Sequence, residues 1–369
     1  MLNGRLGTPE AALMTTGAGA GRTGANSMGR RLDPHLLLEA RGGAVDFARL
    51  AGLAGRSLVH PNQLDRGTVV ELSAAAALLE GWTVGRLRPL DGKVAITAFF
   101  EASTRTRLSF ESAVLRLDGK VLSIPDPRVT GAAKGESMSD TGEMFNSYGD
   151  VVIMRHTETA SIDEIARNLR IPLINAGNGT GHHPTQALVD WYALLKWRPE
   201  LATAGCPADR RIHLGIVGTP GSMRAVKSFL WMSTLFEGAV ERVTIVSELA
   251  DPVGQDLQDA LDRSAIPVSA TNDLREVLED LDVIYMNSIA FLGDSYERLN
   301  VRHRLDADSP LRPGAVVMHP LARADELAPD LDATEHNLYF AQAAGAVYVR
   351  QALLLGVLGR IGALADAVG

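Results

Sequence analysis

The chain has 369 residues, 46% of them apolar, with a formal net charge of −8. That is room for two ordinary domains with a core each, and the acidic balance argues against nucleic acid or a membrane surface as partner, since either favours a basic face. Its one cysteine, Cys206, leaves no internal disulfide and suits a reducing cytoplasm, and no continuous apolar run reaches the ~20 residues that span a bilayer.

Residues 1–32 are rich in Gly, Ala, Thr and Arg and lack both a periodic apolar face and the apolar core of a secretory signal. A disordered extension is expected there. Residues 37–53 read as weakly helical and 68–80 as a good helix. Strands and helices then alternate: strand 94–100, helix 108–117, strand 120–124, helix 137–148, strand 150–155, helix 162–169, strand 172–175, helix 186–197. The polar stretch 198–211, with two prolines and a glycine, reads as a domain change. Beyond it the scheme repeats: strand 212–217, helix 224–236, strand 242–246, helix 255–263, a short strand 268–270, helix 274–281, strands 283–286 and 315–318, then one long helix to residue 368. The pattern predicts an α/β protein of two domains, each a mostly parallel sheet flanked by helices and joined by long interdomain helices. The division is 33–200, 201–340, and a C-terminal helix 341–369 that packs back on the first domain.

Chemistry gathers where strands end, the place where open α/β sheets bind ligands. After the first strand come Ser103-Thr104-Arg105-Thr106-Arg107, three hydroxyls and two guanidiniums in a strand-to-helix turn. A helix start offers free N–H groups and a positive dipole end, and Arg adds a planar fork matched to phosphate or carboxylate; the plain reading is a capped helix with two solvated arginines. Arg155 and His156 follow the third strand, Asn175 to Gln186 the fourth, Arg224 a Gly-rich turn, and His319-Pro320-Leu321 the last. Lys134 sits in the small-residue loop Gly131 to Ser137, where it can swing over an anion or simply be solvated. The adjacent pair His182-His183 faces two ways and has no acidic or Cys partner at ligand spacing, so no metal is expected. Gly215-x-x-Gly218-x-x-Gly221 departs from the G-x-G-x-x-G dinucleotide fingerprint, although Glu248 stands where a ribose ligand would.

The run Phe99 to Glu111 resembles the carbamoyl-phosphate signature of the aspartate and ornithine carbamoyltransferases. The order continues with Lys134-Gly-Glu-Ser, Met154-Arg155-His156, Asn175-Ala-Gly-Asn-Gly, His183-Pro-Thr-Gln-Ala-Leu-Val-Asp190, Arg224, Met318-His-Pro-Leu321 and Tyr339 to Leu353. The likeness runs from about residue 55 to the C-terminus, and the aspartate branch is nearer, because ornithine enzymes usually carry Cys-Leu-Pro where this chain has His319-Pro320-Leu321. The resemblance implies a carbamoyltransferase that uses carbamoyl phosphate and an amino-acid or amine acceptor, without metal or cofactor, as a homotrimer with active sites shared between subunits. By resemblance, Ser103, Thr104, Arg105 and Thr106 cradle the phosphate, Arg155 reaches phosphate and carbamoyl oxygen, and His183 bonds the carbamoyl oxygen. Gln186 and the Leu321 carbonyl meet the carbamoyl nitrogen, Arg224 grips the acceptor α-carboxylate, and Lys134 enters from the adjacent subunit. The first domain would then bind carbamoyl phosphate and the second the acceptor.

Two positions depart from the family. The acceptor-binding Thr-Arg-Val-Gln becomes Asn287-Ser288-Ile289-Ala290, so Ser288 and Ala290 stand where Arg and Gln would hold carboxylate. His-Pro-Leu-Pro-Arg becomes His319-Pro320-Leu321-Ala322-Arg323, without the second proline. Three readings stay open: aspartate as acceptor with Arg128, Arg302 or another cation compensating; a different amine, such as a diamino acid; and a catalytically silent regulatory relative. An oxidoreductase that binds a dinucleotide is the alternative from another class.

Overall fold

The computed structural model describes residues 32–81, 87–287, 289–292, 295–298 and 303–368. The extension expected over 1–32, except Leu32, lies outside these residues, as do Ser288 and Arg302.

The first unit opens with α1 (Pro34–Ala40), α2 (Phe47–Ala51) and α3 (Arg66–Gly81). It continues β1 (Val94–Phe99), α4 (Thr104–Arg116), β2 (Lys120–Ile124), α5 (Met138–Tyr148), β3 (Val151–His156), α6 (Ser161–Ala166), β4 (Leu173–Asn178) and α7 (Pro184–Trp197). Its four strands are all parallel, in the order β2-β1-β3-β4. β4 is buried at every position and β1 at all but its first, which is why these strands read as continuous apolar runs rather than alternating ones. β1 leads to β2 on one side and β3 lies on the other, so the chain reverses direction across the sheet at the β1/β3 boundary. A crevice opens there beyond the carboxyl ends of the strands.

The second unit comprises β5 (Ile212–Val217), α8 (Arg224–Ser233), β6 (Val240–Val246), α9 (Gln255–Arg263), β7 (Val268–Thr271), β8 (Val283–Met286), the antiparallel pair β9 (Ile289–Leu292) and β10 (Ser295–Arg298), and β11 (Val316–Met318). Its main sheet is parallel in the order β11-β8-β5-β6-β7, with the reversal between β5 and β8. The fold is the expected α/β class with two parallel sheets.

Two expectations are corrected, and one element was not foreseen. The helix predicted over 274–281 is two short 3-10 turns, Leu274–Glu276 and Leu278–Asp280, parted by Val277 at φ −123°. The single C-terminal helix expected over 341–369 is two, α10 (Tyr339–Val357) and α11 (Gly362–Val368). The break follows from Gly359 at φ +64°, a left-handed stop that glycine adopts freely. The β9–β10 hairpin was not predicted. α10 does pack back against α3, α4 and α7, and its mostly buried faces explain an apolar helix long enough to cross a bilayer as a core element.

α7 is the spine that both units share. On one side Lys196 Nζ and Tyr192 OH meet Glu80 Oε2 of α3 at 2.6 and 2.5 Å. On the other, Trp191 stacks on Phe236 at 3.7 Å, and Phe229 of α8 stacks on Tyr285 of β8 at 4.4 Å. Trp191 is fully buried. Replacing Trp191 with Ala is therefore expected to lower unfolding free energy by ~3–5 kcal/mol, read as a fall in the urea midpoint; a change under ~1 kcal/mol would show that the stack does not join the units.

Candidate active site

Three helices begin at the crevice between the units, two of them on arginines. α4 opens Thr-Arg-Thr-Arg, α7 opens behind His183 with Pro184 first, and α8 opens on Arg224; none carries an acid in its first turn. None has a side-chain cap either: Ser103 and His183 occupy the cap positions of α4 and α7 without bonding the backbone N–H groups behind them. The helix starts at Thr104 rather than at Leu108 as the apolar periodicity suggested. Thr104, Arg105 and Thr106 are thus its first turn, with Arg105 and Thr104 exposed and Thr106 buried. Uncapped N–H groups at helix starts attract anions.

The guanidiniums converge on one carboxylate. Glu101, just after β1, receives Arg155 NH2 at 2.5 Å, and Arg224 NH2 and NH1 at 2.5 and 2.8 Å. Arg155 ends β3 of the first unit and Arg224 opens α8 of the second, so Glu101 ties the two units across the cleft. Burial raises the Glu101 carboxyl, but its two Arg partners outweigh that and hold it below the usual carboxylate range. Arg155 is mostly buried; desolvation lowers its pKa, and the neighbouring charges of Arg224 and Arg105 lower it further. Three arginines against one paired glutamate leave a net positive pocket.

His183 is fully buried in that pocket, and burial, then Arg155, Arg224 and Arg350, push its pKa well below the ordinary value, so the ring is neutral. Its Nδ1 lies 3.4 Å from Thr185 Oγ1, and its backbone N–H donates to Ser228 Oγ of α8 at 2.8 Å. Gly177, at φ +114°, is where the groups crowd together. A Cβ there would stand 3.1 Å from Arg224 Nε, 3.3 Å from His183 Cδ2 and 3.5 Å from Arg155 NH1.

Behind His183 lies a buried polar knot. Asp190 accepts from Gln186 Nε2 at 2.7 Å, Gln342 Nε2 at 2.6 Å and Tyr285 OH at 2.8 Å. Gln342 Oε1 in turn accepts the His319 N–H at 3.0 Å, and His319 Nδ1 accepts the Leu321 N–H at 2.8 Å. The Leu321-Ala322 bond is cis, and Leu321 sits at φ +53°.

The structure thus brings together Arg105, Arg155, His183, Gln186 and Arg224, with Ser103, Thr104 and Thr106 at the α4 start and Leu321 on the loop tied back through Gln342. Lys134 stands outside this group, exposed on the turn Gly131–Lys134. Arg128 is exposed and paired with Asp126. Ser288 lies outside the described residues, and of Ala290 only the backbone, paired with Glu297, is described. Sequence reasoning missed Glu101, Asp190 and Gln342. An acid two residues before an anion-binding turn was the available signal for Glu101, whereas the other two are visible only once α7 and α10 are packed. The glycines of the Gly215/Gly218/Gly221 run meet protein: a Cβ would hit Leu281 Cδ1 at position 215 and the Val253 backbone at 221. They serve close packing rather than a dinucleotide. Among the described residues no three His, Cys, Asp or Glu side chains gather as a metal site.

Two family models match the chain. Residues 56–196 match the aspartate/ornithine carbamoyltransferase carbamoyl-P binding domain, and 210–357 match the Asp/Orn binding domain of the same family. The chain is similar to a chloroplastic aspartate carbamoyltransferase of Oryza sativa subsp. japonica, 34% identical over 346 residues, covering 88% of this chain and 93% of the relative. It is likewise similar to the aspartate carbamoyltransferase catalytic subunit of Methanocella arvoryzae, 34% identical over 310 residues, with 82% and 97% covered. Among solved structures, aspartate transcarbamoylase from Trypanosoma cruzi in complex with carbamoyl phosphate and aspartate superposes with a TM-score of 0.73 at 30% identity, over 84% of this chain and 98% of that one.

Two outcomes follow from the geometry. Gly177→Ala combines a strained backbone with a methyl pressed among Arg224, His183 and Arg155, and is expected to lower kcat/KM by about a hundredfold or more; an active Ala variant would show that the three groups are not held at this spacing. Asp190 gives a pH signature. Burial raises its carboxyl from 3.8 to about 7 against the pull of its hydrogen-bond partners, so between those values the unfolded chain has lost its proton while the folded one keeps it, and stability falls as pH rises. Asp190→Asn has no proton to lose. Its melting temperature is expected to gain on the wild type's from about pH 4 to about pH 7 and to keep that gain above; a pH-independent difference would show that Asp190 is ionised throughout.

Proposed function

The chain belongs to the aspartate/ornithine carbamoyltransferase family and is a carbamoyltransferase, and from that premise we propose that it moves the carbamoyl group of carbamoyl phosphate to the amine of aspartate. The observation that carries this reading is the positive pocket in which a neutral, buried His183 stands between Arg155 and Arg224.

The phosphate sits on the α4 start, held by Ser103, the backbone and side chains of Thr104 and Thr106, and Arg105. Arg155 reaches from this phosphate to the carbamoyl oxygen. In this reading the His183 proton rests on Nε2, aimed at that oxygen, and Nδ1 takes the Thr185 hydroxyl as its donor. As the amine lone pair forms the new C–N bond, the oxygen gains negative charge, which a preset donor in a desolvated site stabilises strongly. A neutral ring suits this task because it donates without having to release a charge. The C–O bond to phosphate then breaks, the phosphate leaves with the electron pair, and the amine's extra proton passes to the departing phosphate or to water. Gln186 and the Leu321 carbonyl accept from the carbamoyl amino group. Arg224 holds the α-carboxylate, so aspartate and carbamoyl phosphate meet where the units face each other, the first unit (33–200) carrying the phosphate substrate and the second (201–340) the acceptor. No cofactor enters this chemistry, which rests on positioning and charge.

Aspartate is favoured as acceptor because the Trypanosoma cruzi relative was solved with carbamoyl phosphate and aspartate, and with carbamoyl aspartate and phosphate. A different amine, argued from Ser288 and Ala290, and a silent regulatory role are not favoured by these relatives.

A homotrimer with shared sites completes the reading. Leu108, Leu115, Leu122, Val129, Met144 and Tyr148 are large apolar side chains exposed on the first unit around α4, β2 and α5, the kind of surface that a second subunit covers. Lys134, exposed on the turn between β2 and α5, would enter a neighbour's phosphate site. A cytoplasmic location suits the lone buried thiol Cys206, while the rice relative is named as chloroplastic.

The test is phosphate release from carbamoyl phosphate with aspartate and a panel of other amines, products identified by mass. N-carbamoylaspartate with matching phosphate is expected; turnover with another amine and none with aspartate would overturn the acceptor. Sharing of sites has its own test. Lys134→Ala and His183→Ala are each expected to be nearly inactive, and subunits mixed in equal amounts after dissociation are expected to recover about a quarter of wild-type activity, the fraction of sites that random closed trimers rebuild. No recovery from two inactive parents would place Lys134 in its own subunit's site, and an active Lys134→Ala would place it outside the chemistry.

A further inference from the structure

We propose that Asp190 is the positioning residue that makes this site read the amino group of carbamoyl phosphate, by holding the Gln186 side-chain amide with its nitrogen inward and its oxygen toward the cleft. The inference rests on the function proposed above.

Gln186 and Asp190 lie one turn apart on the same face of α7. Asp190 is fully buried, while Gln186 is half-buried at the cleft. The Asp190 carboxylate is an acceptor only, and Oδ1 takes two amide donors, Gln186 Nε2 at 2.7 Å and Gln342 Nε2 at 2.6 Å. Each amide therefore has its nitrogen committed inward and its oxygen on the opposite arm. For Gln342 that oxygen receives the His319 N–H, fixing the loop that carries Leu321. For Gln186 it is left as an acceptor at the cleft. A primary amide with nothing to fix it turns over at small cost and would offer N–H to N–H against a carbamoyl group. The same carboxylate thus sets both acceptors that the proposed mechanism gives to the carbamoyl nitrogen, one directly and one through Gln342, His319 and Leu321.

The arrangement is indifferent to the proton on Asp190. Oδ2 faces the Tyr285 hydroxyl at 2.8 Å, which accepts as well as donates, so a proton on Oδ2 leaves Oδ1 as the double acceptor. Packing alone has no use for a carboxylate here: burying one is costly, and an apolar side chain fills such a gap more cheaply. What the acid adds is direction.

The experiment compares carbamoyl phosphate with acetyl phosphate, in which a methyl replaces the amino group. The readouts are kcat/KM for the first and the inhibition constant for the second, in the full-length wild type, Asp190→Leu, Asp190→Asn, Gln186→Ala and the double variant Asp190→Leu/Gln186→Ala. Asp190→Leu is expected to weaken carbamoyl phosphate tenfold or more while leaving acetyl phosphate within about threefold. Asp190→Asn is expected to recover most of that ratio, since its oxygen can face the two amides and its nitrogen Tyr285. In the Gln186→Ala background Asp190→Leu is expected to add little, because the pair acts as one unit. Should Asp190→Leu not fold, Asp190→Ser, which withdraws the acceptor but leaves a hole that water fills, carries the same comparison. Equal weakening of both phosphates, an Asn variant no better than Leu, or additive losses in the double variant would each overturn the proposal. A wild type that turns over, with an unchanged ratio across the variants, overturns this inference alone; a wild type that releases no phosphate overturns the proposed function and this with it.

Discussion

Everything at the centre of this molecule answers to a shortage of negative charge. Arg105, Arg155 and Arg224 arrive from three helix or strand ends, and Glu101 pairs with only two of them, Arg155 and Arg224. Like charges held together in a desolvated cleft raise the energy of the empty site, and an incoming dianion relieves it. The three helix starts without acids or caps add to the same field. The neutrality of His183 comes first from its burial, and the surrounding guanidiniums push its pKa the same way.

Glu101 also gives the two units a reason to meet. Its partners come from both, so the charge balance of the cleft and the spacing between the sheets are the same variable. Around it the α7 spine supplies what electrostatics lacks, a rigid reference. The aromatic stacks on Trp191 and Tyr285 fix β8 and α8 against α7, and Asp190 ties α7, α10 and β8 through hydrogen bonds whose directions are not interchangeable. Apolar contact sets the distance between the units; the polar knot sets the orientation of the groups that face substrate.

The parallel strands were legible because both faces of a covered sheet are apolar, and each such run could be read without a partner. The site residues were legible because ligand chemistry concentrates where such strands end. Helix starts were not: α4 begins with Thr-Arg-Thr-Arg, polar residues that carry no period, so the apolar pattern announces the helix a turn late. Leu274, Leu278 and Leu281 imitate a helical face, yet two successive 3-10 turns bury the same leucines. Gly359 was in plain view, and only its backbone angle shows that it ends α10. Asp190 read as one more polar position on an amphipathic helix; its meaning depends on Gln342, 152 positions away, a distance over which no periodicity speaks. The acceptor side is the least legible part, because its informative residues, Ser288 and Ala290, are informative by what they replace.

The return of α10 to the first unit has a consequence for how the protein comes into being. The helix packs on α3, α4 and α7, and Arg350, fully buried on it, donates to Ser109 of α4 at 2.5 Å and lies 4.7 Å over the ring of Phe110. The earlier unit is thus finished by a helix that follows the later unit in the chain. During translation the ribosome exposes β1 to α7 long before their covering helix exists, so the early unit must wait, with part of its apolar surface open, for the later one to emerge. Order of synthesis and order of completion run in opposite directions along this chain.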